Sequence, residues 1–311
     1  MKNPKPLVSV IMNAYNGELF IKESIQSVID QTYDNWEIIL WDNCSEDRTA
    51  EVVKSFNEIR IKYLLSATST PLGEARNLAI KESQGEYLAF LDCDDLWLPS
   101  KLEKQILLFE DSEVGLVISD TIFFNQKGNE KQIYKTKKPP IGYVFKALLS
   151  EYFISLETVI VRRQALDSLD HLFDNRFQVI EEFDLFLRLS LSWKLDFVDE
   201  VLARWRVHES SWTWTKAELF PNEKRMMIQK YASSIKGFKN DYKKEIKLLE
   251  RSCSLEEGLL LWEKGNSQGM REKIRPYLGY KPKWILLYIS TFFPRRFYLF
   301  LQKVRGNVSP D

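Results

Sequence analysis

The sequence predicts an α/β fold, a mostly parallel sheet covered on both faces, followed by a helical C-terminal region. Three observations carry this reading. Strand-like apolar runs and helix-like segments alternate four times before residue 110, the pattern of a parallel sheet flanked by helices. Each strand-like run ends in polar or acidic residues, where such sheets bind ligands. Beyond Lys216 the strand-like runs stop, and apolar residues fall at helical spacing between lysines.

Taken in order, Leu7–Met12 is a β-branched run broken by Asn13-Ala14-Tyr15-Asn16-Gly17. Leu19–Ile29 follows, with Ile21, Ile25, Val28 and Ile29 at helical spacing. Trp36–Trp41 is a second strand ending in Asp42-Asn43-Cys44-Ser45, and Ser45 caps a helix reaching Phe56. Ile59–Leu65 gives a third strand and Leu72–Ser83 a third helix. Tyr87–Leu91 is a buried strand that stops at Asp92-Cys93-Asp94-Asp95, after which Pro99 and Ser100 open a helix. Gly115–Phe124 is a strand, and Asn125–Asn129 a hairpin turn into Gln132–Tyr134. After Pro139-Pro140 come a helix, a strand near Thr158–Val161 and a helix from Arg163. Phe183–Ser192 is an amphipathic helix preceded by Glu181-Glu182, Asp196–Val201 a strand, and Ala203–Trp214 an irregular stretch rich in Arg and Trp. The expected division is a domain over 1–215 and a helical, basic region over 216–311.

At 311 residues, 44% apolar and 28% charged, the chain reads as a large globular domain with an appendage. Its 44 basic and 44 acidic residues are unevenly placed. From Lys216 onward there are 20 Lys/Arg and 10 Asp/Glu, which leaves 24 and 34 before it. An acidic first part argues against nucleic acid as its partner, and a basic tail suggests an anionic surface. Cys44, Cys93 and Cys253 are far apart and lack metal-ligand spacing, which fits a reducing cytoplasm. The first residues lack the apolar core of a signal peptide. No apolar run reaches the roughly 18 residues of a spanning helix.

Three strand ends, Asn13–Asn16, Asp42–Ser45 and Asp92–Asp95, should converge on one crevice. The clustered carboxylates of the third would repel one another without a cation or a donor-rich ligand. Hard oxygen ligands suit Mg²⁺ or Mn²⁺, which commonly bridge to phosphates. The plain alternative is a solvated acidic turn before a helix.

Five segments then carry a resemblance: VSVIMNAYNGELFIKESIQSVIDQTYDNWEIILWDNCSEDRT, LGEARNLAI, GEYLAFLDCDDLW, EEFDLFLRLS and RWRVHESSW. In this order, across Leu7 to Trp214, they resemble the family 2 glycosyltransferases, inverting nucleotide-sugar-dependent enzymes with the Rossmann-like GT-A fold. The resemblance implies a donor site lined by Asn13, Tyr15, Asp42, Asn43, Arg76, Asp92 and Cys93. Tyr15 would stack on the uracil, with a core or rim tyrosine as the alternative. Asn43 stands where many relatives have an Asp that accepts the base N3–H; its amide oxygen can accept too, and Asp42 can share the role. Arg76 would touch base or phosphate; otherwise it is a surface arginine paired with Glu74. Asp92-Cys93-Asp94 reads as the DxD motif, Asp92 on the ribose, Asp94 on the Mn²⁺ or Mg²⁺ that bridges both phosphates, and Asp95 as a supporting acceptor. His208 matches a position that in some relatives completes the metal shell or touches phosphate, and is otherwise structural.

The family places its base in an acid pair at a helix head, here Glu181-Glu182-Phe183-Asp184. Glu182 takes the base position, though its extra methylene moves the carboxylate by roughly one C–C bond relative to Asp. Asp184 would anchor the loop, and the bland reading is that acids favour a helix N-terminus. Trp212 and Trp214 lie where relatives have a loop that covers the nucleotide; the alternative is packing at the domain junction.

The expected activity is transfer from a nucleotide sugar, a UDP-sugar by resemblance, to a hydroxyl of a glycan or lipid-linked acceptor at the inner face of the cell membrane. The rival is a catalytically silent nucleotide-binding module that acts in assembly; the acids at 92, 94 and 182 favour the enzyme. A sugar nucleotidyltransferase would carry a Gly-rich basic loop after the first strand, which Asn13–Gly17 lacks. The tail holds one further feature over 284–301: an apolar, aromatic run of about ten, Trp284–Phe293, with Lys281 and Lys283 before it and Pro294-Arg295-Arg296 after it, continued by apolar Phe297–Leu301 and then Lys303 and Arg305. It is too short to span a bilayer. It suits either peripheral membrane contact or packing on the domain or across a dimer.

Overall fold

A computed structural model describes residues 5–294 apart from Lys281. Two compact units result. Among the described residues, the first holds 5–124, 132–145 and 153–206, and the second holds 125–131, 146–152 and 207–294.

The element order begins β1 (Val8–Ala14), α1 (Ile21–Ile29), β2 (Trp36–Asp42), α2 (Thr49–Lys54), β3 (Ile61–Leu65), α3 (Leu72–Lys81) and β4 (Tyr87–Phe90). It continues with β5 (Leu96–Trp97), α4 (Lys101–Ile106), β6 (Val114–Phe124), β7 (Glu130–Gln132), α5 (Phe145–Ser150), β8 (Ile160–Arg162), α6 (Arg163–Asp167), α7 (Glu181–Leu189) and β9 (Lys194–Arg206). The sheet runs β3-β2-β1-β4-β8-β6-β9-β5. β3, β2, β1 and β4 are parallel, as the alternation predicts. The other half is mixed: β8 is antiparallel to β4 and β6, β9 parallel to β6, and β5 antiparallel to β9.

β1 and β4 are buried along their whole length, which is why they read as unbroken apolar runs. Val10, Met12, Ile38, Leu40 and Ala89 from the sheet pack with Ile21, Ile25 and Val28 of α1 in one core. Gly85 is required just before β4, since a Cβ there would lie 2.5 Å from the Ser9 backbone nitrogen.

Two sequence expectations are corrected. α2 begins at Thr49 rather than after Ser45, because residues 45–48 bond the loop after β1 instead of a helix. The Ser45 hydroxyl accepts from the Asn16 N–H, Asn16 Oδ1 accepts from the Glu46 N–H, and Asp47 Oδ2 accepts from the Glu18 N–H. Ala203–Arg206, expected to be irregular, is the last part of β9. Ladders on both sides, to β6 and to β5, hold it extended. A short helix, α8 (Trp212–Thr215), then overlaps the end of the stretch read as irregular.

The second unit continues with α9 (Phe220–Ser234), α10 (Phe238–Asp241), α11 (Lys243–Glu263), α12 (Ser267–Ile274) and α13 (Pro282–Ser290). Lys224–Glu256 and Arg225–Glu250 pairs tie α9 to α11. Trp262, Met270, Ile274 and Trp284 form a separate small core. No helix among the described residues is long and apolar enough to cross a membrane. Of the segment 284–301, residues 295–301 lie outside the described ones.

Candidate active site

The parallel half of the sheet delivers the acid turn. Leu91 still bonds the Ile11 carbonyl at 3.1 Å, and the chain leaves the sheet at Asp92. Arg76 reaches that turn from α3. It is not on the surface: it is 2% exposed. Its Nη2 donates to Asp92 Oδ1 and Oδ2 at 3.1 and 3.3 Å, and its Nη1 to Glu181 Oε1 at 2.7 Å. Glu182 Oε2 lies 3.9 Å from the same Nη1. One guanidinium therefore serves carboxylates from the end of β4 and the head of α7.

Two neighbours in α3 make this approach sterically feasible. Gly73 has no Cβ; one built there would lie 3.2 Å from Phe173 Cβ and 3.6 Å from Glu181 Cβ. The Asn77 amide exchanges two 2.9 Å bonds with the backbone of Phe173, fixing the segment that leads into α7. Of the two glutamates, Glu181 is sealed at 3% side-chain exposure and Glu182 remains open at 23%.

Arg206, the last residue of β9, holds the other side of the turn. Its Nε donates to the Asp94 carbonyl and its backbone N–H to Asp95 Oδ1, both at 2.8 Å. Its Nη2 bonds Glu23 Oε2 at 2.6 Å, and Ser24 of α1 donates to the Cys93 carbonyl at 2.9 Å. The turn is thus fixed through its backbone and through buried Asp95, while the Asp92 and Asp94 side chains stay partly exposed. Asp95 is pushed well up by burial, with Asp94, Glu157 and Asp92 adding. The turn's carboxylates are hard oxygen ligands of the kind a divalent cation takes, but among the described residues the three-residue group whose ligand atoms already lie close together is His171, Asp174 and Asp184.

Other expected site residues fall differently. Tyr15 is 55% exposed just past β1. Asn13 is buried, and its amide nitrogen has no hydrogen-bond partner. Asn43 bonds Thr70: its Oδ1 accepts from the Thr70 N–H and hydroxyl, each at 3.0 Å, and its Nδ2 donates to the Thr70 carbonyl at 2.8 Å. Asp42 is fully buried, with Oδ1 accepting the Ser45 N–H at 2.8 Å and Oδ2 the Tyr63 hydroxyl at 2.7 Å. Both side chains hold loops together in this structure.

Asp184 is fully buried and pairs with Arg188 Nε at 2.9 Å, while Arg188 also donates to the carbonyls of His171 and Leu172. It anchors that loop. His171, Asp174 and Asp184 also bring three ligand atoms within 4.8 Å of one another. Guanidinium groups of Arg176 and Arg188 already neutralise the two carboxylates. In the second unit His208 Nδ1 bonds the Ser210 hydroxyl at 2.8 Å. Trp212 and Trp214 are 38% and 43% exposed, and Lys216 Nζ sits 3.3 Å over the Trp212 ring.

Sequence reasoning assigned no role to Gly73, Asn77 or Arg206. All three sit inside quoted segments (LGEARNLAI and RWRVHESSW), and a Gly and an Asn flanking Arg76 on one helix were the available signal.

Comparison with known proteins agrees with this architecture. The family model described as glycosyl transferase family 2 matches residues 9–170. An uncharacterised glycosyltransferase of Methanocaldococcus jannaschii is 30% identical over 209 residues, 65% of this chain and 71% of that protein. The Escherichia coli UDP-Glc:alpha-D-GlcNAc-diphosphoundecaprenol beta-1,3-glucosyltransferase WfgD is 33% identical over 185 residues, 60% and 69% of the two chains. Among solved structures, S. aureus TarS in complex with UDP-GlcNAc superposes with a TM-score of 0.61 at 19% identity, covering 89% of this chain and 74% of that one. The mannosyltransferase PcManGT of Pyrobaculum calidifontis, in complex with GDP-Man and Mn²⁺, gives 0.61 at 16% identity, covering 97% and 85%. With the acid turn at the end of β4 and the acid pair at the head of α7, this chain belongs to glycosyl transferase family 2 and has the GT-A fold.

Proposed function

We propose that this glycosyltransferase is inverting. It moves a sugar from a UDP-linked donor to a hydroxyl of a lipid-linked glycan at the inner face of the membrane, with Glu182 as the base. The observation that carries the reading is the placement of Glu182. Arg76 gathers Asp92 and Glu181 by direct bonds, and Glu182 is the acid of the pair left accessible beside them. In the reaction, Glu182 takes the proton of the acceptor hydroxyl. The acceptor oxygen bonds to the anomeric carbon in line, the bond to the diphosphate breaks, and the nucleoside diphosphate leaves.

Asp92 and Asp94 supply the carboxylates, of which Asp94 would hold a Mn²⁺ or Mg²⁺ ion. When bound, that ion offsets the charge of the leaving diphosphate. Exposed Tyr15 and the amide of Asn13, whose nitrogen has no hydrogen-bond partner, stand beside Asp42 and Asn43 as the groups assigned to the base. UDP as the nucleotide is supported by the UDP-GlcNAc and UDP in the TarS structures and by the donor in WfgD's name. The acceptor class is supported by WfgD's diphosphoundecaprenol substrate.

The test is to incubate the full chain with Mn²⁺, UDP-Glc, UDP-GlcNAc or GDP-Man, and GlcNAc-diphosphopolyprenol, and to read product configuration by NMR. A β-linked product from an α-linked UDP-sugar is expected. A retained configuration overturns inversion. No transfer from any donor, with UDP binding intact, favours the silent binding module.

A further inference from the structure

The second unit carries an apolar stripe on its surface. α13 (Pro282–Ser290) divides its side chains between two sides. Trp284, Leu287 and Tyr288 pack on the small core with Trp262, Met270 and Ile274. Ile285, Leu286 and Ile289 lie on the opposite arc, at 48%, 59% and 48% exposure, and Phe292 and Phe293 extend the exposed stripe at 64% and 52%. Spacing of i, i+1 and i+4 places the first three on one helical face. A soluble surface scatters such residues singly; a contiguous stripe of five marks a contact.

Cations border this stripe. Arg271 lies 4.5 Å over the Phe292 ring and donates to the carbonyl and hydroxyl of Thr291 at 3.2 and 3.3 Å. Arg251 stacks 3.3 Å over Tyr280, which is itself 47% exposed. From Lys264 to the last residue the sequence has ten Lys/Arg and only Glu272 and Asp311 as acids.

We infer that this stripe docks on an anionic phospholipid surface, with the outward side chains of α13 in the headgroup–acyl boundary and the bordering cations on lipid phosphates. Size and charge separate this occupant from a second copy of the chain. About half of five large side chains offers roughly 500 Å², below the about 800 Å² per partner of a standard protein interface. Two copies would also bring like charge together, whereas each basic residue near an anionic surface strengthens binding about fivefold. The stripe is too short to span, so attachment is interfacial and reversible. The inference rests on the second unit alone and does not depend on the reaction proposed above.

The test is co-sedimentation of the full chain with vesicles of phosphatidylcholine alone or with one third phosphatidylglycerol. Wild type and Ile285→Ser/Leu286→Ser/Ile289→Ser are compared, with thermal melts and sedimentation velocity as companions. The expected result is binding to anionic vesicles that falls at least tenfold in the variant and is released by 0.5 M salt (about a 4 Å screening length), with the melt and the monomer mass unchanged. Wild type remaining in the supernatant at low salt overturns the inference. So does a variant that binds as well as wild type. A lowered melt in the variant would assign the stripe to internal packing, and a dimer lost in the variant would assign it to a second copy; either overturns membrane docking.

Discussion

Replacing Arg76 by Gln should unlock the site from its centre, and the structure sets the scale. Arg76 and Glu181 are each 3% exposed at the side chain and 2.7 Å apart. Removing one partner of a buried pair leaves the other charge buried without compensation, at a cost of about 3–5 kcal/mol. Asp92 is 37% exposed, so solvent screens its loss and it adds little. At roughly 2–4 °C per kcal/mol for a chain of this size, the melting midpoint should fall by about 6–20 °C. Arg76→Gln/Glu181→Gln removes the orphaned charge as well and should recover at least half of that loss. The assay is thermal unfolding by circular dichroism for wild type, both single variants and the double. If the double variant melts no higher than Arg76→Gln, or if Arg76→Gln matches wild type, the guanidinium does not hold the acids as described.

Two further outcomes follow from the same geometry. UDP titrated calorimetrically should bind more tightly with Mn²⁺ than with chelator in wild type and equally in Asp94→Ala; equal affinity in all four experiments removes the cation from the account. Lys101 is fully buried, with Nζ 2.6 Å from Gln105 Oε1, and burial holds its pKa well below the lysine range while Glu157 opposes. A folded pKa below the unfolded one gives stability that is present above the unfolded value and lost as pH falls. Wild type should therefore gain stability relative to Lys101→Met between about pH 7 and pH 10, read as a rising difference in urea midpoint; a flat or falling difference contradicts a buried neutral amine.

Local pattern reached the parallel half of the sheet because each of its strands is buried and followed by a helix, so periodicity and turn residues say the same thing. It also located the acid turn, since a strand ending in Asp92-Cys93-Asp94-Asp95 is visible in one stretch of chain. What stayed hidden was long-range. Arg76 looks like a surface helix residue until α7 arrives 105 positions later to bury it. Ala203–Arg206 looks irregular because its extended form comes from two ladders, one of them with the two-residue β5. The bonds that Asn43 and Asp42 make are hidden because their partners, Thr70 and Tyr63, belong to a different strand and loop. The Ser45 cap fails for the same reason: its hydroxyl accepts from Asn16, 29 residues away, before a helix can use it.

The proposed chemistry turns on Glu182, and single-turnover transfer by Glu182→Gln tests it most directly. Donor affinity is measured beside the rate so that binding and chemistry separate. Glutamine keeps the size and shape of glutamate, and Glu182 Oε2 stands 3.9 Å from Arg76 Nη1, so the substitution should leave the turn and donor binding intact. The account predicts unchanged UDP affinity and a transfer rate lower by roughly 10²–10⁴-fold, the size of a lost general base. Turnover within a few fold of wild type would show that another group takes the proton and would contradict the account.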